Sequence, residues 1–94
     1  MAIRSFGSRA TKRFARGDRR RLPPGLASKI AGVLERLDSI SSPADLRQAG
    51  YRVHRLTGDR KRSHAVRISG AWRVVFRFQD GNAYDVEAVD YHRS

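Results

Sequence analysis

Three histidines, His54, His64 and His92, are the side chains of this 94-residue chain best suited to moving protons near neutral pH. An unperturbed imidazole titrates near about 6.5, within reach of either protonation state. His92 closes the run Asp90-Tyr91-His92, which sets a carboxylate and a phenol beside it. Arg73 and Arg77 lie in a stretch where Trp72, Val74, Phe76 and Phe78 alternate with Arg73, Val75, Arg77 and Gln79. That alternation puts both guanidinium groups on one face of a strand. A phosphodiester held between imidazoles, with an arginine between them, is enough for metal-free cleavage of RNA. One group takes the proton of the ribose 2′-OH, another protonates the leaving 5′-oxygen, and the arginine stabilises the charge on phosphorus. The same residues also fit histidines that merely pack on a strand or face solvent, and residue types alone leave both readings open.

Other chemistries are excluded more firmly. The chain has no cysteine, which removes disulfide scaffolds, thiol catalysis and cysteine-based zinc or iron–sulfur sites together. The histidines do not pair at short spacing, so no metal site is expected, and no cofactor. There is neither a glycine-rich phosphate loop nor a Gly-x-Ser-x-Gly elbow. Lys and Arg total 20 against 9 Asp and Glu, a net charge of +11. The cations are nearly all arginine, the lysines being Lys12, Lys29 and Lys61. Arginine's planar fork of donors matches phosphate oxygens, so an anionic partner is expected, nucleic acid above all. No apolar run approaches the length of a membrane span, and residues 1–21 are basic without the apolar centre of a secretory leader. The cytoplasm is the expected location, with no membrane partner.

The elements that position these residues divide the chain in two. Ile3 opens a short extended piece, and Ser8 is placed to cap a basic helix running to about Arg16 and stopped by Gly17. Residues 17–22 form a charged linker; the Arg9-to-Arg21 segment fits either contact with ribosomal RNA or simple solvation. After Pro23-Pro24, the residues Leu26, Ile30, Val33, Leu34, Leu37 and Ile40 recur at helical spacing, which predicts a helix packed on a core. Ser42, Pro43 and Asp45 predict one more helical turn with Ser42 as its cap, closed by Gly50. From Tyr51 the period becomes two. Strands are expected over Tyr51 to Leu56, His64 to Ser69, Trp72 to Gln79 and Ala83 to about Val89, with turns at Gly58-Asp59, Ser69-Gly70 and Asp80-Gly81. The fold class is α+β: N-terminal helices on one face of a C-terminal antiparallel β-sheet, in one domain spanning 1–94, the other sheet face open to a ligand.

With the elements placed, four segments resemble a known family. They are Val53-His54-Arg55-Leu56-Thr57-Gly58-Asp59-Arg60, then Trp72-Arg73-Val74-Val75-Phe76-Arg77-Phe78, then Gly81-Asn82-Ala83-Tyr84, and finally Asp90-Tyr91-His92. Together with Ile3-Arg4-Ser5-Phe6, their order and spacing resemble the HigB-type toxins of bacterial type II toxin–antitoxin systems, within the RelE-like superfamily of mRNA interferases. The resemblance implies the RelE-like microbial RNase fold and ribosome-dependent cleavage of mRNA in the A site, which inhibits translation. It implies as partners a HigA-type antitoxin, the ribosome and its mRNA, and operator DNA reached only through the antitoxin. Carried over by position, His54, Arg73, Asp90, Tyr91 and His92 are the implied catalytic set. His92 with Asp90 or Tyr91 would handle the 2′-OH and leaving-group protons, Arg73 the transition-state charge, and His54 would act as acid, base or orienting group. From their charge and placement rather than from the family, Arg55, Arg60, Lys61, Arg62 and Arg77 are expected to bind the RNA. Two positions depart from the family's habit: Thr57 stands where members carry a lysine, and Ala71 where an asparagine precedes the tryptophan. The alternative reading is a basic RNA- or ribosome-binding module, or a degenerate toxin, without catalysis.

Overall fold

The computed structural model describes residues 3–18, 20, 22–55 and 63–90. Three short helices come first: α1 (Arg9–Ala15), α2 (Ala27–Leu37), entered through a 3-10 turn at Pro24–Leu26, and α3 (Ala44–Gln48). Four strands follow, β1 (Val53–Arg55), β2 (Ser63–Ser69), β3 (Trp72–Gln79) and β4 (Asn82–Asp90). They form one antiparallel sheet in the order β1-β2-β3-β4.

Helix α2 supplies the main apolar stripe. Ile30, Val33 and Leu37 are fully buried and Leu34 nearly so, the i, i+3, i+4, i+7 pattern of a helix lying on a sheet. They meet Val53, Val66, Val74, Phe76 and Val86 from the sheet in one cluster. Each such side chain contributes about 1.5–3 kcal/mol by leaving water. Leu22 belongs to the same cluster, so the charged linker ends in a core anchor rather than in solvent.

Local chemistry sets the helix ends. The Ser8 side chain accepts from the Thr11 N–H at 3.2 Å, as its capping position predicts. At α3 the cap is inverted. Ser42 does not cap the helix with its side chain; instead the Ser41 and Ser42 N–H groups donate to the Asp45 carboxylate at 2.8 and 3.2 Å. Gly50 then takes φ +94°, with Tyr51 N donating to the Leu46 carbonyl and Gly50 N to Arg47. This doubled C-terminal closure needs a left-handed residue and redirects the chain into β1. The first strand accordingly begins at Val53, two residues later than its alternation suggests. Asp80 and Gly81 both have positive φ, as a tight hairpin of this sequence requires.

The free edge of β4 is covered by the chain's own beginning. Ile3 and Phe6 bridge Ala83 and Val86 in parallel, through Arg4 N to Ala83 O, Val86 N to Ser5 O and Gly7 N to Val86 O. A Cβ on Gly7 would sit 3.0 Å from the Asp85 carbonyl oxygen, so the close approach requires glycine. Thr11, fully buried, continues the cover: its hydroxyl lies 2.8 Å from Ser8 Oγ and accepts from Ala88 N at 3.0 Å. A sheet edge that would otherwise invite pairing with another chain is thereby closed.

Candidate active site

The pleat sorts the sheet residues into two faces. Val53, Val66, Val74, Phe76 and Val86 face the helices, so their neighbours His54, Ala65, Arg67, Arg73, Val75 and Arg77 fall on the other face. The register makes this concrete. His54 pairs with Ala65, Ala65 with Val75, and Val75 with Glu87. One row along, Arg67 pairs with Arg73, and Arg73 with Val89; in the opposite direction, Ser63 pairs with Arg77 and Arg77 with Tyr84. Ala65 and Val75 are buried without belonging to the main core cluster. They form a low apolar floor among longer polar side chains.

His54 and Arg73, both named from sequence, therefore share the face turned away from the helices. Two strand spacings and two residues of rise separate their Cα atoms by about 12 Å. A gap of that size is one that an imidazole and a guanidinium on long side chains can span to flank one phosphate. His54 is exposed. Arg73 is half-buried and anchored: its Nη1 donates to the Gly70 carbonyl at 2.7 Å and to the Trp72 carbonyl at 3.0 Å. The β2–β3 turn thus holds one terminal nitrogen of the guanidinium, which limits the entropy lost when the group meets an anion. Arg67 lies directly opposite Arg73 across the ladder. Like charges in that position repel, and a bound anion would relieve the repulsion.

Asp90 ends β4 opposite Trp72. Alternation assigns it to the parity of Val86 and Ala88, the helix-facing side, while Val89 falls beside Arg73. Tyr91 and His92, the remaining members of the expected catalytic set, lie outside the described residues, as do Thr57, Arg60, Lys61 and Arg62.

The other expected RNA-binding residues are Arg55 and Arg77. Arg55 is exposed and pairs with His64. Arg77 shares the open face with Arg73, but its Nε donates to Asp85 at 2.9 Å and its guanidinium lies 5.4 Å from the Tyr84 ring centroid. Asp85 is the extra residue of a bulge in β4, with φ +54°. Arg77 therefore clamps this bulge as well as facing the open side. Both partners of the pair are about half exposed, so it stabilises the fold by under about 1 kcal/mol.

His64 is the residue whose surroundings sequence alone did not reveal. It stands on the helix-facing side, stacked on Phe76 with centroids 5.6 Å apart and planes 18° apart. Its Nδ1 is buried without a hydrogen-bond partner. Burial, then the positive charges of Arg55 and Arg47, hold its pKa below the usual histidine value. His64 also lines a cleft of about 450 Å³ with Pro43, Arg55, Arg77, Phe78 and Gln79. The alternation of His64 with Val66 and Ile68 places it with the core parity; its aromatic stacking needs the partner strand.

Comparison with known proteins reaches almost the whole chain. Residues 4–92 match the family described as RelE-like toxin of type II toxin–antitoxin system HigB. A curated relative, the Endoribonuclease HigB of Proteus vulgaris, is 30% identical over 91 residues, covering 96% of this chain and 99% of its own length.

Proposed function

This chain belongs to the HigB-like family of RelE-like toxins of type II toxin–antitoxin systems, and from that premise we propose that it is a ribosome-dependent endoribonuclease that cuts mRNA in the A site on the open face of its sheet. The observation that carries the reading is the shared placement of His54 and Arg73 on the face turned away from the helices, Arg73 held by the β2–β3 turn and opposed by a second arginine. The relative named an endoribonuclease, alike over nearly its full length, supports the same reaction class.

The chemistry proceeds by transesterification. A base removes the 2′-OH proton, and the 2′-oxygen attacks phosphorus. The P–O5′ bond breaks, leaving a 2′,3′-cyclic phosphate, and an acid protonates the departing 5′-oxygen. Arg73 lies against the phosphoryl oxygens and stabilises their added charge in the transition state. His54 acts on a proton or orients the group that does. His92 with Tyr91 takes the complementary proton step; Asp90, which alternation sets on the helix-facing side, acts on them from the end of β4 rather than from the open face. Arg55, Arg60, Lys61, Arg62 and Arg77 hold the RNA backbone. The ribosome presents the message in the conformation that the open face receives. A cognate antitoxin of the HigA type restrains the activity and carries any contact with operator DNA, and the toxin works in the cytoplasm. Among the described residues, no helix is long and apolar enough to cross a membrane.

The test is a purified reaction. Ribosomes carrying a defined message are incubated with the chain, beside the same RNA alone and beside His92→Ala. Cleavage on the ribosome only, reduced about 10²–10⁴-fold in the variant, is the expected result. Intact ribosome-bound message with undiminished RNA binding would favour the non-catalytic basic module.

A further inference from the structure

The Arg67–Arg73 pair belongs to a longer row. Arg67 N donates to the Arg52 carbonyl at 3.0 Å, which extends the β1–β2 register by one residue and sets Arg52 beside Arg67. Alternation from Val53 and Val66 gives Arg52 and Arg67 the same parity as Arg73. Three guanidinium-bearing residues therefore cross the sheet in one line, about 4.8 Å apart from strand to strand. Arg52 and Arg67 are both exposed.

The line leads to a groove. Beside the sheet edge, where β1 has not yet begun, Arg52 and Arg67 also line a depression of about 690 Å³ between the start of α2 and the β2–β3 turn. Ser28, Lys29, Tyr51 and Ser69 complete its chemically active wall, and among the described residues no carboxylate lines it. Lys29 and Ser28 are exposed, while Tyr51 is half-buried with its hydroxyl against Gly32, where a Cβ would lie 3.4 Å away. Three cations, two hydroxyls and an aromatic ring are the groups that follow a single-stranded backbone and stack its bases. Its volume is that of a small-ligand pocket. The nearest acid on α2, Glu35, faces a neighbouring depression with Arg36 and Ser39.

We propose that this groove is a second RNA site, in which Lys29, Arg52 and Arg67 hold phosphates of the same message strand that Arg73 engages, and Tyr51 stacks a base. The proposal rests on the open face being the cleavage face. The arginine row joins the two sites without a break, which favours the substrate strand over ribosomal RNA as occupant. The row adds its positive charge to that of the groove, a continuous track for a polyanion.

The test uses the full chain and a fluorescein-labelled single-stranded RNA of about 10 nucleotides, within the usual site size for such grooves. Anisotropy is followed across a salt series for the parent and for the Lys29→Ala/Arg52→Ala double variant. Both positions are exposed, so the variant should melt with the parent. Expected are an affinity about tenfold lower and a salt slope shallower by about 1.4, two contacts at about 0.7 each. Three results would overturn the proposal: no binding by the parent at low salt, identical affinity and slope in the double variant, or loss of binding to message-free ribosomes with the oligonucleotide unaffected. Message cleavage is read separately. If the parent makes no cuts while oligonucleotide binding responds as stated, the cleavage reading fails, and with it the message strand as occupant, while the groove's RNA binding stands; if cuts occur and binding does not respond, the groove falls and the cleavage reading stands.

Discussion

The two faces of one sheet are built from alternate residues of the same strands, yet they are put to opposite uses. On β2 and β3, Val66, Val74 and Phe76 are fully buried against the helices, while Arg67, Arg73 and Arg77 stand on the other side. The first face gains stability by removing apolar surface from water. The second accepts an electrostatic cost by setting arginine against arginine. The Arg67–Arg73 juxtaposition sets like charges side by side, an arrangement that an anionic ligand would stabilise. A period of two thus lets one strand serve core and site at once, and a one-residue slip in register would exchange them.

This contrast can be broken or sharpened by substitution. The largest effect is expected from His54→Ala: cleavage of ribosome-bound message falls about 10²–10⁴-fold, while thermal unfolding of the purified chain stays within about 0.5 kcal/mol of the parent because the side chain is exposed. Arg73→Ala should lower cleavage by about 10²–10³-fold, again with a small change in melting. Leu37→Ala belongs to the other face. It should cost about 2–5 kcal/mol in chemical denaturation, and cleavage per folded molecule should be unchanged. A loss of specific activity there would show that the two faces are not separable.

A smaller effect concerns His64, which lies with the core parity but titrates. Its folded pKa is below the unfolded value, so the unfolded chain binds more protons as pH falls beneath about 6.5. Stability is fully present above that pH and declines as pH drops toward the depressed folded value. His64→Phe keeps an aromatic ring on Phe76 and removes the titration. Its melting temperature should depend less on pH between about 7.5 and 5.5 than the parent's; an unchanged dependence would remove His64 as the cause. The smallest effect is expected from Arg77→Ala, which releases the Asp85 bulge at under about 1 kcal/mol and weakens RNA binding without abolishing it.

What sequence makes legible here is local. The Ser8 cap, the stripe from Ile30 to Leu37, the Gly50 stop and the Asp80-Gly81 hairpin each depend on residues a few positions apart, and each stands as its spacing indicates. The same holds for His54 and for the shared face of Arg73 and Arg77, which follow from strand parity alone. What escaped depends on partners far along the chain. The pairing of residues 3–7 with β4 spans about eighty positions, and no local pattern announces it. The Asp85 bulge is held by Arg77 and Ser5, eight and eighty residues away. The stacking of His64 on Phe76, and the alignment of Arg52 with Arg67 and Arg73, follow from register, which the turns and the buried face fix jointly. The inverted cap at Asp45 is a different case: two capping arrangements suit the same residues, and the carboxylate, able to accept from two backbone donors, prevails over the serine hydroxyl.

The central claim is that the open face performs cleavage and the helix-covered face does not. Primer extension on abundant messages from bacteria expressing the parent, Arg73→Ala or Leu37→Ala, at matched levels of folded protein, tests it most directly. In-frame cuts with the parent and with Leu37→Ala, and their loss with Arg73→Ala, are the predicted result. Undiminished cuts from Arg73→Ala would contradict the account, because the arginine that shares the open face with His54 would then have no part in the reaction.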